Sequence, residues 1–283
     1  MEHIKSLEDA RREFSTQIKC EDYLARKRWP DGVTCPRCGE KHQHYMPRYR
    51  KWYCKHCDYQ YSVTAQTIFH GTKLPLTKWF IATWLLCHSP KGISAKQIER
   101  ELGVCYETAW SMAHRIRMAM AKDAYMLKLS GTVEIDDAVI KADGGKASGN
   151  VTFQAKNVMG FVSRDTGALR MIVVETLQQK DIKHVVLKNL AQVKALVTDA
   201  TSRYNFMGEI APHSYVAHYL SYSVDGVHTN FIENAWSLFK RGLVGMFHHV
   251  SAKHLQAYLD EFAFRYSHRA NKRALFDLVL TSC

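Results

Sequence analysis

The sequence predicts an α/β protein, a mixed sheet with flanking helices, preceded by a metal-binding module and a helical pair. Three observations carry this. Strand-like segments begin only at Thr132, and then run strand, strand, strand, helix, strand, helices. Four of the eight cysteines crowd into one short segment as two C-x2-C pairs. Between these regions, "ISAKQIERELGVCYETAWSMAHRIR" reads as two helices broken at "LGVC".

At 283 residues the chain can bury one sizeable core and carry one or two small modules. A hydrophobic content of 46% makes disorder a poor default. No apolar run approaches the length of a membrane span, and "MEHIKSLEDARREF" is no signal peptide, so no membrane partner is expected. A cytoplasmic, nucleoid-associated protein is the simplest expectation. The net charge of +12 favours a polyanionic partner; charge alone does not separate nucleic acid from anionic lipid.

Residues 1–66 are read as an N-terminal helix and a zinc ribbon. The helix carries Phe14, Ile18 and "YLARKRW", and Pro30-Asp31-Gly32 ends it with turn chemistry. "CPRC" and "CKHC", fifteen residues apart, place Cys35, Cys38, Cys54 and Cys57 on two tight turns that can converge on one Zn²⁺. Four sulfurs close the coordination sphere, so the metal is structural; redox cysteines are the competing reading. Arg48, Arg50 and Lys51 alternate with Tyr49, Trp52 and Tyr53, a mixture suited to phosphates and bases, or to packing on the ribbon itself.

Residues 67–122 are read as a helix-turn-helix region. "PLTKWFIATWLLCHS" has core spacing at Trp79, Phe80, Trp84 and Leu85. Ser94 is an N-cap with Gln97 three residues on, Gly103 ends the first helix, and the second starts near Tyr106. Ala109, Met112, Ala113 and Ile116 fill its inner face, leaving Thr108, Ser111 and Arg115 to face DNA. A helical hairpin without a DNA role fits the same pattern.

Residues 130–283 are read as the catalytic domain, after a boundary near "DAYMLKLSG". "TVEIDDAVIK", "NVMGFVSR" and "ALRMIVVE" are strands, "QQKDIKHVVLKNL" is an amphipathic helix and "KALVTDA" a buried parallel strand. Asp136 and Asp199 sit at or near the ends of apolar strands, where an acid is costly without a cation or partner. Asp199 serves equally well as an N-cap. Glu134 and Asp137 are expected to point elsewhere. In "VHTNFIENAWSLFKRGLVGMFHH", Asn230, Glu233, Ser237 and Lys240 fall within about 80° on a helix, opposite Ile232, Trp236, Phe239 and Leu243. A solvated face is the plain reading. With Asp136 and Asp199, Glu233 completes a carboxylate set of the kind that holds Mg²⁺, and Lys240, beside Arg241, then meets DNA phosphate.

The order zinc ribbon, helix-turn-helix, "EIDD…GGK", "VTD" and "HTNFIENAWSLFKRGLVGMFHHVSAKHLQAYLDEFAFRYSHR" resembles the bacterial insertion-sequence transposases related to the eukaryotic Merlin elements. The similarity spans nearly the whole chain and is most specific from His228 to Arg269. It implies a ribonuclease-H-like domain with Asp136 and Asp199 as the first two metal ligands and Glu233 as the third, Asn230 one turn away being the alternative. It also implies Mg²⁺-dependent (or Mn²⁺-dependent) cutting at the element's terminal inverted repeats, then attack of the freed 3′-hydroxyl on target DNA, with no covalent protein–DNA intermediate. A homodimer or higher homo-oligomer on DNA is expected. The sequence departs from the family at "DDAVIKADGG", where Gly144 and Gly145 come later than the usual Gly-Gly pair. A DNA-binding regulator with a catalytically inactive nuclease-like domain is the runner-up, and a cleavage assay separates the two.

Overall fold

Packing and sequence order part company at the end of the chain. The computed structural model describes residues 4–41, 43–126, 128–147, 150–216, 228–270 and 272–281. They form two compact units: Met1–Ser89 with Ile93–Met120 and Lys272–Cys283, and Pro90–Gly92 with Ala121–Asn271.

In the first unit, helix α1 (Leu7–Glu13) opens on a capping box in which Ser6 and Asp9 satisfy each other's backbone N–H groups. Helix α2 (Gln17–Arg28) is capped by Thr16. Strands β1 (Gln43–Met46), β2 (Lys51–Cys54) and β3 (Tyr59–Tyr61) form a small antiparallel sheet. Helix α3 (Leu76–His88) buries Trp79, Phe80 and Leu86. Helix α4 (Ala95–Leu102) starts at Ser94, whose hydroxyl accepts from the Gln97 N–H. It ends at Gly103 (φ 57°), where the left-handed backbone suits a residue without Cβ. Helix α5 (Tyr106–Met126) follows, with Ala109, Met112, Ala113 and Ile116 buried as their spacing predicts.

The second unit is built on a five-stranded mixed sheet. Strands β4 (Leu129–Ala147), β5 (Asn150–Ser163) and β6 (Leu169–Val174) form an antiparallel meander. Helix α6 (Gln179–Asn189) leads to β7 (Leu190–Asp199), parallel to β4, and a 3-10 segment (Ser202–Glu209) leads to β8 (His213–Val216), parallel to β7. The strand order is β6-β5-β4-β7-β8. Helix α7 (Asn230–Gly242) runs into a short π-helix (Leu243–Phe247), and α8 (Leu255–Ser267) follows. Each face of the sheet carries an apolar cluster. Ala138, Ile140 and Val158 pack with Ile232, Trp236, Phe239 and Leu259 of α7 and α8, whereas Ile135, Phe161 and Leu196 pack with Ile182, Val186 and Tyr204. The expected α/β architecture is therefore present.

The structure departs from the sequence expectation in three places. The single N-terminal helix is two, α1 and α2, because Phe14 ends the first and Thr16 caps the second. The β4–β5 hairpin is longer than "TVEIDDAVIK" and "NVMGFVSR" suggest, because Gly144 and Gly145 do not end the strand; a register shift between Asp143 and Gly145 absorbs them. Helix α9 (Lys272–Thr281), assigned from sequence to the catalytic domain, belongs to the first unit. Its Phe276 joins Phe14, Tyr23 and Phe80, with ring centroids 5.4 Å, 6.2 Å and 5.8 Å away.

Candidate active site

Four thiols define the metal centre of the ribbon. The Sγ atoms of Cys35, Cys38, Cys54 and Cys57 all lie within 4.8 Å of one another, with Cys35 and Cys57 at 3.6 Å and Cys38 and Cys54 at 3.6 Å. Among the described residues this is the one set of three or more His, Cys, Asp or Glu ligands so close. Four thiolates on two turns fit a closed, tetrahedral structural zinc.

Asp136, Asp199 and Glu233 of the second unit come from three elements, and the charges of Asp199 and Glu233 act on Asp136. Asp136 lies on β4 opposite Gly160 of β5. The parallel pairing ends at Glu134 opposite Val197, so Asp136 and Asp199 each stand two residues beyond the last pair, level with each other. Glu233 comes from the first turn of α7. Burial pushes the Asp136 carboxyl up to about 6; the backbone N–H of Asp137 opposes this, while the negative charges of Asp199, Asp137 and Glu233 add to it. Thr201 donates to Asp199 Oδ1 at 3.1 Å and Thr229 to Glu233 Oε1 at 2.6 Å. Asn230, Ser237 and Lys240 are exposed on α7, whose buried side carries Ile232, Ala235, Trp236 and Phe239.

The close approach of α7 depends on Gly160. A Cβ there would stand 2.7 Å from Ile232 Cδ1 and 2.7 Å from Trp236 Cζ2. The residue paired with Asp136 is thus the one whose missing side chain admits the helix carrying Glu233.

The two acids beside Asp136 are more deeply engaged than the sequence suggests. Glu134, expected to point away, shares the face of Asp136 and is fully buried. It accepts from Arg164 Nε at 2.8 Å and from the Ile232 backbone N–H at 2.9 Å. Asp137 faces the other side, where it accepts from Arg203 Nη1 at 2.9 Å and the Tyr204 hydroxyl at 2.7 Å. One signal for Glu134 was available, a charged residue between Val133 and Ile135 in a buried strand. Nothing in the sequence pointed to its partners.

The residues assigned to DNA divide into two groups. Arg48, Lys51, Ser111, Lys240 and Arg241 are exposed, and Thr108 is half-buried beside Cys105. Arg50 is paired with Glu21 and Asp22 of α2. Arg115 donates to the His70 carbonyl at 3.0 Å, and its guanidinium lies 5.1 Å from the Trp79 ring. Among the described residues, no helix is long and apolar enough to cross a membrane.

Comparison with known proteins agrees with this organisation. The transposase zinc-ribbon domain matches residues 15–60 and the ISXO2-like transposase domain matches residues 128–267, which makes the protein a transposase. More narrowly, the chain belongs to the insertion-sequence transposases with an N-terminal zinc ribbon. It is 28% identical over 273 residues to an uncharacterized protein in the transposable element ISH50 of Halobacterium salinarum, covering 89% of this chain and 91% of that protein. A simian T-cell lymphotropic virus intasome structure gives a TM-score of 0.31 at 10% identity, over 59% of this chain and 63% of that chain. A pre-cleavage Mos1 transpososome gives 0.29 at 11% identity, over 99% and 98%. Scores this low carry no weight for the fold.

Proposed function

We propose that the protein binds the terminal inverted repeats of its insertion sequence and catalyses metal-dependent strand cleavage and strand transfer into target DNA. In this reading the second unit is a ribonuclease-H-like domain, and Asp136, Asp199 and Glu233 hold Mg²⁺, with Mn²⁺ as a substitute. The carrying observation is geometric: Asp136 and Asp199 stand level on adjacent parallel strands, and Glu233 arrives on α7, which Gly160, the residue paired with Asp136, admits to the sheet. Three carboxylates leave room for water and phosphate oxygens around a hard cation. Bound there, Mg²⁺ would supply Lewis acidity at the scissile phosphate and activate the attacking oxygen.

The chain's own residues then orient the DNA. Lys240, two turns beyond Glu233 on α7, holds a backbone phosphate, with Arg241 beside it. In the first unit, Arg48 and Lys51 of the ribbon and Thr108 and Ser111 of α5 contact the element end. Arg50 and Arg115 support these surfaces from within. Assembly as a homodimer or larger would bring two ends together.

The test uses a plasmid carrying the gene's own flanking DNA, with Mg²⁺. Glu233→Gln should abolish cleavage and transfer while leaving DNA binding intact, and Asn230→Ala should only weaken them. A dead Asn230 variant beside an active Glu233 variant would reverse the assignment. Wild-type binding without any cleavage would favour the inactive regulator.

A further inference from the structure

We infer that Glu134 and Asp137 are positioning residues, through which strand β4 fixes the two elements that bring Glu233 and Asp199 to Asp136. This rests on the proposed reading of those three acids as metal ligands. Glu134 has a fully buried side chain, which is costly for a carboxylate without strong partners. Its partners lie on two other segments: Arg164, which follows β5, and Ile232 in the first turn of α7. His228 Nδ1 lies 3.4 Å from Glu134 Oε1, and Arg164 Nη2 donates to the His228 carbonyl. One carboxylate thus gathers both the approach to α7 and its first turn.

The start of α7 explains why this contact matters. The first N–H groups of a helix need partners, and Thr229 at the cap position makes no side-chain cap. Its hydroxyl is directed instead to Glu233 Oε1. The cap is supplied by Glu134, 98 residues earlier in the chain, whose negative charge also suits the positive end of the helix dipole. A local Ser or Asp would cap the helix as well. What the distant acid adds is registry. Glu134 is two residues from Asp136 on the same face, and it holds the N–H of the residue preceding Glu233.

Asp137 performs the matching task on the opposite face. Both of its oxygens accept from Arg203 Nη1, at 3.1 Å and 2.9 Å, and Oδ1 also accepts from the buried Tyr204 hydroxyl. These two residues lie four and five positions after Asp199, so the chain leaving β7 is tied to β4 next to Asp136. Burial and the charge and hydrogen bond of Asp137 raise the Tyr204 phenol well above its usual range, which keeps it a neutral donor.

Mn²⁺ titration of the full-length, zinc-loaded protein, followed by electron paramagnetic resonance, tests this alongside cleavage and thermal melting. Glu134→Gln retains the volume and an acceptor for Ile232 but loses the charge facing Arg164. It should bind Mn²⁺ about tenfold more weakly at temperatures well below its melting point. Asp137→Asn should do likewise. Combining Glu134→Gln with Arg164→Gln should add little to the first change, because the two residues act as a unit. If Glu134→Gln does not fold, Asp137→Asn and Arg164→Lys carry the same test. Wild-type Mn²⁺ affinity in the folded Glu134 and Asp137 variants, with Asp136→Asn impaired, would overturn the inference alone. Wild-type affinity in Asp136→Asn would remove the ligand reading beneath it.

Discussion

Replacing Gly160 by alanine should separate α7 from the sheet at the point where Glu233 approaches Asp136. The added methyl would stand 2.7 Å from both Ile232 Cδ1 and Trp236 Cζ2, and 3.2 Å from Trp236 Cε2. Ordinary carbon–carbon contact is about 3.5–4.0 Å, so two contacts are short by roughly 1 Å. Ile232 is 0% and Trp236 5% exposed, which leaves neither side chain an outlet to solvent. Overpacking of this kind costs about 1–3 kcal/mol, or roughly 3–10 °C of melting temperature for a unit of this length. A retreat of α7 by about 1 Å should lower cleavage on the order of 100-fold. Ile232→Val removes one clashing atom and should restore part of both losses in the double variant. The assays are thermal melting and Mg²⁺-dependent cleavage of end-bearing plasmid. Wild-type melting and cleavage in Gly160→Ala would refute the reasoning.

Three further outcomes are expected. Cys38→Ser should lose the ribbon's zinc and unfold the ribbon while the second unit keeps its melting transition; metal analysis and calorimetry check both. Arg115→Ala should lower the first unit's stability by about 1–2 kcal/mol through loss of the His70 and Trp79 contacts, leaving the salt dependence of DNA binding nearly unchanged. Asp260 is pushed up to about 6 by burial, against a hydrogen bond from Gln256 and the charge of Arg170. Its folded pKa exceeds its unfolded value, so stability falls as pH rises from about 4 to about 6 and then levels off. Asp260→Asn should remove up to about 3 kcal/mol of that fall, read from urea melts across pH.

What was legible in the sequence had a short repeat or a fixed spacing. The two C-x2-C pairs sit together because tight turns leave little freedom, and the Ile232, Trp236, Phe239 stripe is buried because α7 has a helical period. Ser94 and Gly103 bound α4 as their capping chemistry predicts. Asp136 and Asp199 stood out as acids in apolar strands, and they do lie level on adjacent strands. The partners of Glu134 were not legible, because one of them is a backbone N–H that any residue at position 232 would supply. Arg50 and Arg115 were ambiguous for a related reason. A guanidinium suits a phosphate, a carboxylate or a ring equally, and only the fold decides which is near. The packing of α9 in the first unit was not legible, because sequence adjacency says nothing about which core an apolar face joins.

That last helix has a consequence for synthesis. Tyr23 and Asp277 are hydrogen-bonded across 254 residues, and the stack of Phe14 on Phe276 spans a similar distance in the chain. A ribosome delivers α1, α2 and α3 early, but the aromatic cluster they share stays open until α9 emerges. During that interval the apolar surface around Phe14 and Phe80 is available to chaperones, to proteases or to other nascent chains. A product truncated before Lys272 would keep every ligand of both proposed metal centres yet lack the lid of its first core. Prematurely terminated copies should therefore be cleared or aggregate rather than persist.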